Sequence, residues 1–289
     1  MTPQIGILAN TRPTLGESPV WDAVTERLFW VDSLGRRIFR CSQRGDTLRA
    51  WDLEASVGSM ALCEDGRAIL AMRNGVHLFD FATGKAELIA DPEPDFPGHT
   101  LNDGKVDRRG RFVFGSMNVE GSTPDAALYR MDRGRVETLR TGFTLSNGPC
   151  FSPDGASLYF ADTTRPEILR FDYGEDDGAL PAPHVLARLG AGQLDGATVD
   201  AEGCIWWVLT GIGQILRLSP EGEELLRLDM PVRHITSLTF GGPEMDILYV
   251  TSMGRPLSPD QPRDAVEGGA VFTITGLGIT GLVEPRYRF

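Results

Sequence analysis

Glu17, Asn147 and Asp195 are the residues whose types and spacing most suggest chemistry. Each stands eight residues ahead of a turn, at Thr25, Gly155 and Gly203. The same count back from Gly66, Gly110 and Glu244 selects Gly58, Asn102 and Thr236. Two carboxylates and an amide carbonyl suit a hard or borderline divalent cation, with water completing its shell. Uncompensated carboxylates brought together repel and raise a pKa, and a cation removes that conflict. A plainer reading of the same residues stays open. Asn147-Gly148 and Asp195-Gly196 are common turn formers, because Asn and Asp bond local backbone and Gly accepts positive φ.

Positioning such a set requires a repeat. The chain is a succession of short apolar runs rich in Val, Ile, Leu, Phe, Tyr and Trp, each ended by Gly, Asp or Pro. Six segments share one layout of strand, turn, apolar strand, linker and strand, and their turns recur every ~40–50 residues. That period predicts an all-β, six-bladed β-propeller with four-stranded antiparallel blades, a single domain over residues 1–289. A strand near Ile5 to Ala9 is expected to complete the last blade, and one near Leu282 to Tyr287 to add to it. Asp91 to His99 and Met253 to Glu267 read as long Pro-containing loops, the second a candidate lid. In such a ring the six equivalent positions meet at one end of the central channel.

Other chemistries find little support. There is no Gly-x-Ser-x-Gly elbow, no Gly-rich phosphate loop and no His-x-x-x-His pair. His77 sits in an alternating strand and reads as a packed residue; His99 precedes Asn102 by three positions and is a candidate for the channel mouth. The four cysteines lack redox or zinc spacing and read as reduced, with Cys150 facing a blade core. Of Trp206 and Trp207, on opposite faces of one strand, one is expected between blades and the other against a neighbour or solvent.

The formal charge is −12, with no basic run, which disfavours nucleic acid and anionic membrane as partners. No apolar stretch approaches the ~20 residues of a membrane span, and no leader pattern opens the sequence, so a cytoplasmic protein, monomeric or weakly self-associating, is expected.

The sequence resembles the gluconolactonase family, which includes regucalcin (senescence marker protein). The matching pieces are LGESPVWD from Leu15, LNDGKVDRRGRFVFGSM from Leu101, LSNGPCFSPDGASLYFADT from Leu145, LDGATVDAEGCIWW from Leu194 and FGGPEMDILYVTS from Phe240. The resemblance implies a six-bladed propeller with one divalent metal in its channel, held by Glu17, Asn147 and Asp195. It leaves open whether that metal is Ca, Zn, Mg, Mn or Fe(II). It implies hydrolysis of a sugar lactone to its open-chain acid, a step of carbohydrate metabolism. Asp195 would be the catalytic base, and Asn102, Asp103 and Glu120 would be substrate-side residues. Where many members carry Arg, this chain has Thr100, which puts the substrate's identity in question. A calcium-binding regulator or scaffold without turnover, and a broader metal-dependent esterase, are the alternatives.

Overall fold

The computed structural model describes residues 2–119, 123–174, 180–254 and 267–289. These residues form six antiparallel four-stranded sheets. The first blade runs Gly16–Asp22, Arg27–Asp32, Arg37–Ser42 and Arg49–Asp52. The next four begin with the strands Val57–Leu62, His99–Val106, Ser146–Phe151 and Gln193–Val199. The sixth combines Ile235–Gly241, Ile247–Ser252 and Val271–Thr275 with the N-terminal strand Gln4–Ala9 on its outer edge. Each innermost strand packs against the innermost strand of the next blade, and the sixth returns to the first, so the ring is closed.

Burial explains the strand pattern. The second strand of each blade is covered on both faces, and Ile205–Thr210 is buried throughout, which is why these strands read as near-continuous apolar runs. Outer strands such as Glu224–Asp229 alternate exposed and half-buried residues. The core is six apolar clusters, one at each blade–blade interface. At the interface that closes the ring, Trp21 of the first blade stacks on Tyr249 of the sixth with centroids 5.6 Å apart.

The expected N-terminal closure is present, since Gln4–Ala9 pairs antiparallel with Val271–Thr275. The expected C-terminal strand is not. Residues 282–287 form an irregular clasp, tied down by side chains, across the channel end opposite the Glu17 ring. Gly281 bridges to Asp200 of the fifth blade. Glu284 accepts from Lys105 Nζ at 3.0 Å, and Arg286 donates to Asp22. Tyr287, fully buried, bridges to Cys63 of the second blade, and its hydroxyl accepts from the Gly134 amide at 3.0 Å. Pro285, which has no amide to donate, suits this irregular path.

All four cysteines are free and buried, and Cys150 lies in the core between the fourth and fifth blades. Trp206 and Trp207 are both wholly buried, so neither faces solvent. Their indole N–H groups are satisfied internally, by Asp200 Oδ2 at 2.8 Å and by the Asp195 carbonyl at 2.9 Å.

Candidate metal centre and catalytic cavity

All six innermost strands share one irregularity. The pairing register shifts between Glu17 and Val20, Val57 and Ser59, Leu101 and Gly104, Asn147 and Cys150, Leu194 and Ala197, and Ile235 and Leu238. Each shift falls on the position picked out by the turn count. A bulge breaks the ladder and re-aims side chains, and here it does so at every blade around one axis. Asn147 and Asp195 therefore lie inside strands and not in hairpin turns. The glycine after Asn147 has φ +64°, and a Cβ there would lie 2.3 Å from Trp207 Cζ2. Close packing against the next blade thus also requires Gly at this position.

Glu17, Asn102, Asn147 and Asp195 line one cavity of about 280 Å³. The other two ring positions contribute no side chain to it. Gly58 has none, and Thr236 turns its hydroxyl to the Gly16 carbonyl and Thr251.

Hydrogen bonds fix the amides. Asn102 Nδ2 donates to Asn147 Oδ1 at 3.0 Å and to the Ser146 carbonyl at 2.8 Å. Asn147 Nδ2 donates to Thr163 Oγ1 at 2.8 Å, and that hydroxyl donates to the Leu194 carbonyl at 2.6 Å. Three blades are linked in this way, with Asn147 held in one orientation.

The carboxylates are under electrostatic stress. Burial, then Asp195 and Asp103, push Glu17 well above the usual carboxylate range. Burial and then Asp103 do the same to Asp195. No group of three or more His, Cys, Asp or Glu side chains among the described residues is arranged to hold a metal. Among the oxygen donors that this cavity offers are the Glu17 and Asp195 carboxylates and the Asn147 amide oxygen.

Asp103 and Thr100 do not line this cavity, although Asp103 is near enough to push up both carboxylates. Asp103 lines a separate small pocket with Lys105 and Glu284, and its carboxylate accepts from the Gly104 and Gly148 amides at 2.8 and 2.9 Å. Thr100 lines a neighbouring pocket between the second and third blades. Glu120 falls outside the described residues, as do residues 255–266 of the expected lid. His99 is buried, its ring nitrogens 3.2 Å from Glu93 Oε2 and 3.1 Å from Asp125 Oδ1, and it lines the same pocket as Thr100. His77 is buried with Nδ1 at 3.1 Å from the Gly75 carbonyl. Sequence reasoning missed Thr163 and Gln193 and set His234 aside for want of a partner at metal spacing; all three line the central cavity. His234 precedes Thr236 by two residues, so its nearness to the ring position was the available signal.

The sequence profile described as "SMP-30/Gluconolactonase/LRE-like region" matches residues 15–254. The chain belongs to this family. It is 33% identical over 276 residues to the 6-deoxy-6-sulfogluconolactonase of Pseudomonas putida, covering 94% of each chain. It is 34% identical over 277 residues to the L-arabinolactonase of Azospirillum brasilense, covering 93% of this chain and 91% of the other. Among solved structures, a calcium-binding protein, regucalcin, from Agrobacterium tumefaciens superposes with a TM-score of 0.90 at 29% identity, covering 98% and 97% of the two chains. Among the described residues, no helix is long and apolar enough to cross a membrane.

Proposed function

We propose that this family member hydrolyses a sugar lactone to the open-chain hydroxy acid, using a divalent cation held by Glu17, Asn147 and Asp195. One observation carries the reading: two carboxylates, each pushed up by burial and by neighbouring carboxylates, share a cavity with a fixed amide oxygen. Similarity to relatives named as lactonases supports the reaction class.

The donor set fits a hard or borderline cation, because oxygen ligands bearing two charges would be stabilised by it. A cation there would supply Lewis-acid polarisation of the lactone carbonyl. The chain's own residues do the rest. Asp195 takes a proton from water as the water oxygen bonds to the carbonyl carbon. The bond from that carbon to the ring oxygen then breaks, and Asp195 returns the proton to the departing oxygen. The product is an open chain with one carboxylic acid and one new hydroxyl. Glu17 and Asn147, together with Asp195, would hold the cation, and Asn102 holds Asn147.

The second reading is a calcium-binding protein without turnover, favoured by likeness to the regucalcin structure described as calcium-binding. A panel of γ- and δ-lactones assayed for acid release, before and after chelation and after adding back Ca, Mg, Mn, Zn or Fe(II), separates the two. Cation-dependent release well above the spontaneous rate is expected. Binding of cation with no release above background would leave the second reading.

A further inference from the structure

Three arginines of the first blade stand together on one face of its outer half. In the antiparallel ladder, Arg40 lies opposite Arg49 of the edge strand on one side and opposite Phe29 on the other. Arg27 lies opposite Ser42, two residues further along, so its side chain emerges on the same face. Arg27 also pairs with Asp22, whereas Val31 pairs with Glu17. The three arginines are therefore at the end of the blade away from the central cavity.

The fold brings these charges together without neutralising them. Like charges directly opposite one another in a ladder are destabilising. The chain carries a formal charge of −12, so carboxylates are in excess. Yet among the described residues none of the three arginines makes an ion pair. Arg27 Nη1 donates to the Thr25 and Glu26 carbonyls at 3.1 and 2.9 Å. Asp46, on the loop that joins Arg37–Ser42 to the edge strand, accepts from the Ser42 hydroxyl. Asp52, on the other face, pairs with Arg37 at 2.6 Å. Burial, then Arg49 and Arg27, hold the Arg40 guanidinium below its ordinary pKa. Its Nε is buried and has no hydrogen-bond partner.

Aromatic rings hold the guanidiniums in place. The Arg40 guanidinium carbon is 5.6 Å from the Trp51 centroid and 6.0 Å from that of Phe29, and the Arg49 carbon is 5.4 Å from Trp51. Trp51 is itself fixed, with Nε1 donating to the Phe81 carbonyl at 3.2 Å and its ring 5.1 Å from the Phe81 ring. A guanidinium held over a ring keeps its in-plane N–H fork for an oxygen acceptor.

We propose that Arg27, Arg40 and Arg49 form a binding site for a phosphate group, supplied by inorganic phosphate or by a phosphate monoester. Its oxygens take donors that the fold leaves unused, and its charge removes the repulsion among the guanidiniums. Three forks call for more than the two oxygens and single charge of a carboxylate. The site is separate from the central cavity and does not depend on the lactonase reading.

The test titrates the protein calorimetrically, in the presence of magnesium, with inorganic phosphate and with glucose 6-phosphate. Sodium chloride keeps the ionic strength constant, because screening alone shifts such a cluster. Saturable binding of one anion per chain is expected. Arg49 is exposed and Arg27 half-buried, so replacing either leaves the aromatic packing standing. Arg49→Gln and Arg27→Gln should each weaken binding about tenfold, as expected for the loss of a charge-assisted hydrogen bond. Tighter binding of the monoester identifies an organic phosphate as the ligand, and equal affinities show that the phosphate group alone is recognised. Absence of saturable binding would overturn the site, as would affinities within about twofold of wild type in both arginine variants. Glu17→Gln is the control for phosphate drawn to a cation in the cavity: binding lost in that variant and kept in both arginine variants also overturns the proposal.

Discussion

Asn102 and Asn147, 45 residues apart in sequence, are joined by a 3.0 Å hydrogen bond from Asn102 Nδ2 to Asn147 Oδ1. The bond crosses from the third blade to the fourth and aims the amide whose oxygen is proposed to meet the cation. Asn102→Ala should therefore weaken divalent-ion affinity about 10–100-fold, the usual cost of removing a group that orients a ligand. Calorimetric titration of the variant with the activating ion checks this. Unchanged affinity would mean that Asn147 needs no such support.

Glu17→Gln should separate fold stability from cation binding. The Glu17 carboxyl is pushed up by burial and by Asp195 and Asp103. An acid with a raised pKa favours the fold while protonated, so this contribution is present below the ordinary carboxylate range and lost as pH rises through the folded-state value. In chelated protein at neutral pH, Glu17→Gln should raise Tm by about 2–4 °C, and the gain should shrink in acid. The same variant should lose the Tm increase that divalent ions give wild type. Thermal melts across pH, with and without ion, test both halves.

Gly148→Ala combines two penalties. Its φ of +64° suits Gly, and the new Cβ would meet Trp207 Cζ2 at 2.3 Å. A loss of about 2–4 kcal/mol is expected. Urea unfolding followed by tryptophan fluorescence gives the value, and a loss under 0.5 kcal/mol would show that the blades can part locally without strain.

The far-side clasp depends on charge. Glu284 accepts from Lys105 Nζ at 3.0 Å and from Thr198 Oγ1 at 3.3 Å. Lys105 and Arg108, with these hydrogen bonds, hold its carboxyl below the usual range although burial opposes them. An acid with a depressed pKa stabilises the fold above its ordinary value, and that stability is lost as pH falls through the folded value. Glu284→Gln should cost about 2 kcal/mol at neutral pH, and the gap from wild type should close in acid. Denaturation curves at several pH values decide it. A gap independent of pH would assign the cost to packing alone.

The sequence by itself determined the blade repeat and, through it, the ring. Alternation and turn spacing are local properties, and equivalent positions in a closed repeat must meet at the axis. Glu17, Asn102, Asn147 and Asp195 could be selected for that reason. Phase did not reveal that each ring position is a bulge, nor that Thr236 turns its hydroxyl away to Gly16 and Thr251. Direction within a bulge depends on neighbours from other blades. Nor did phase reveal that the Asp103 carboxylate, which pushes up both Glu17 and Asp195, is held by the Gly104 and Gly148 amides. A strand is expected near Leu282 to Tyr287, whereas the path of this segment follows Lys105, Asp22 and Cys63, contacts more than 150 residues away in sequence. Only the tertiary structure decided these features, because each depends on partners brought together by ring closure.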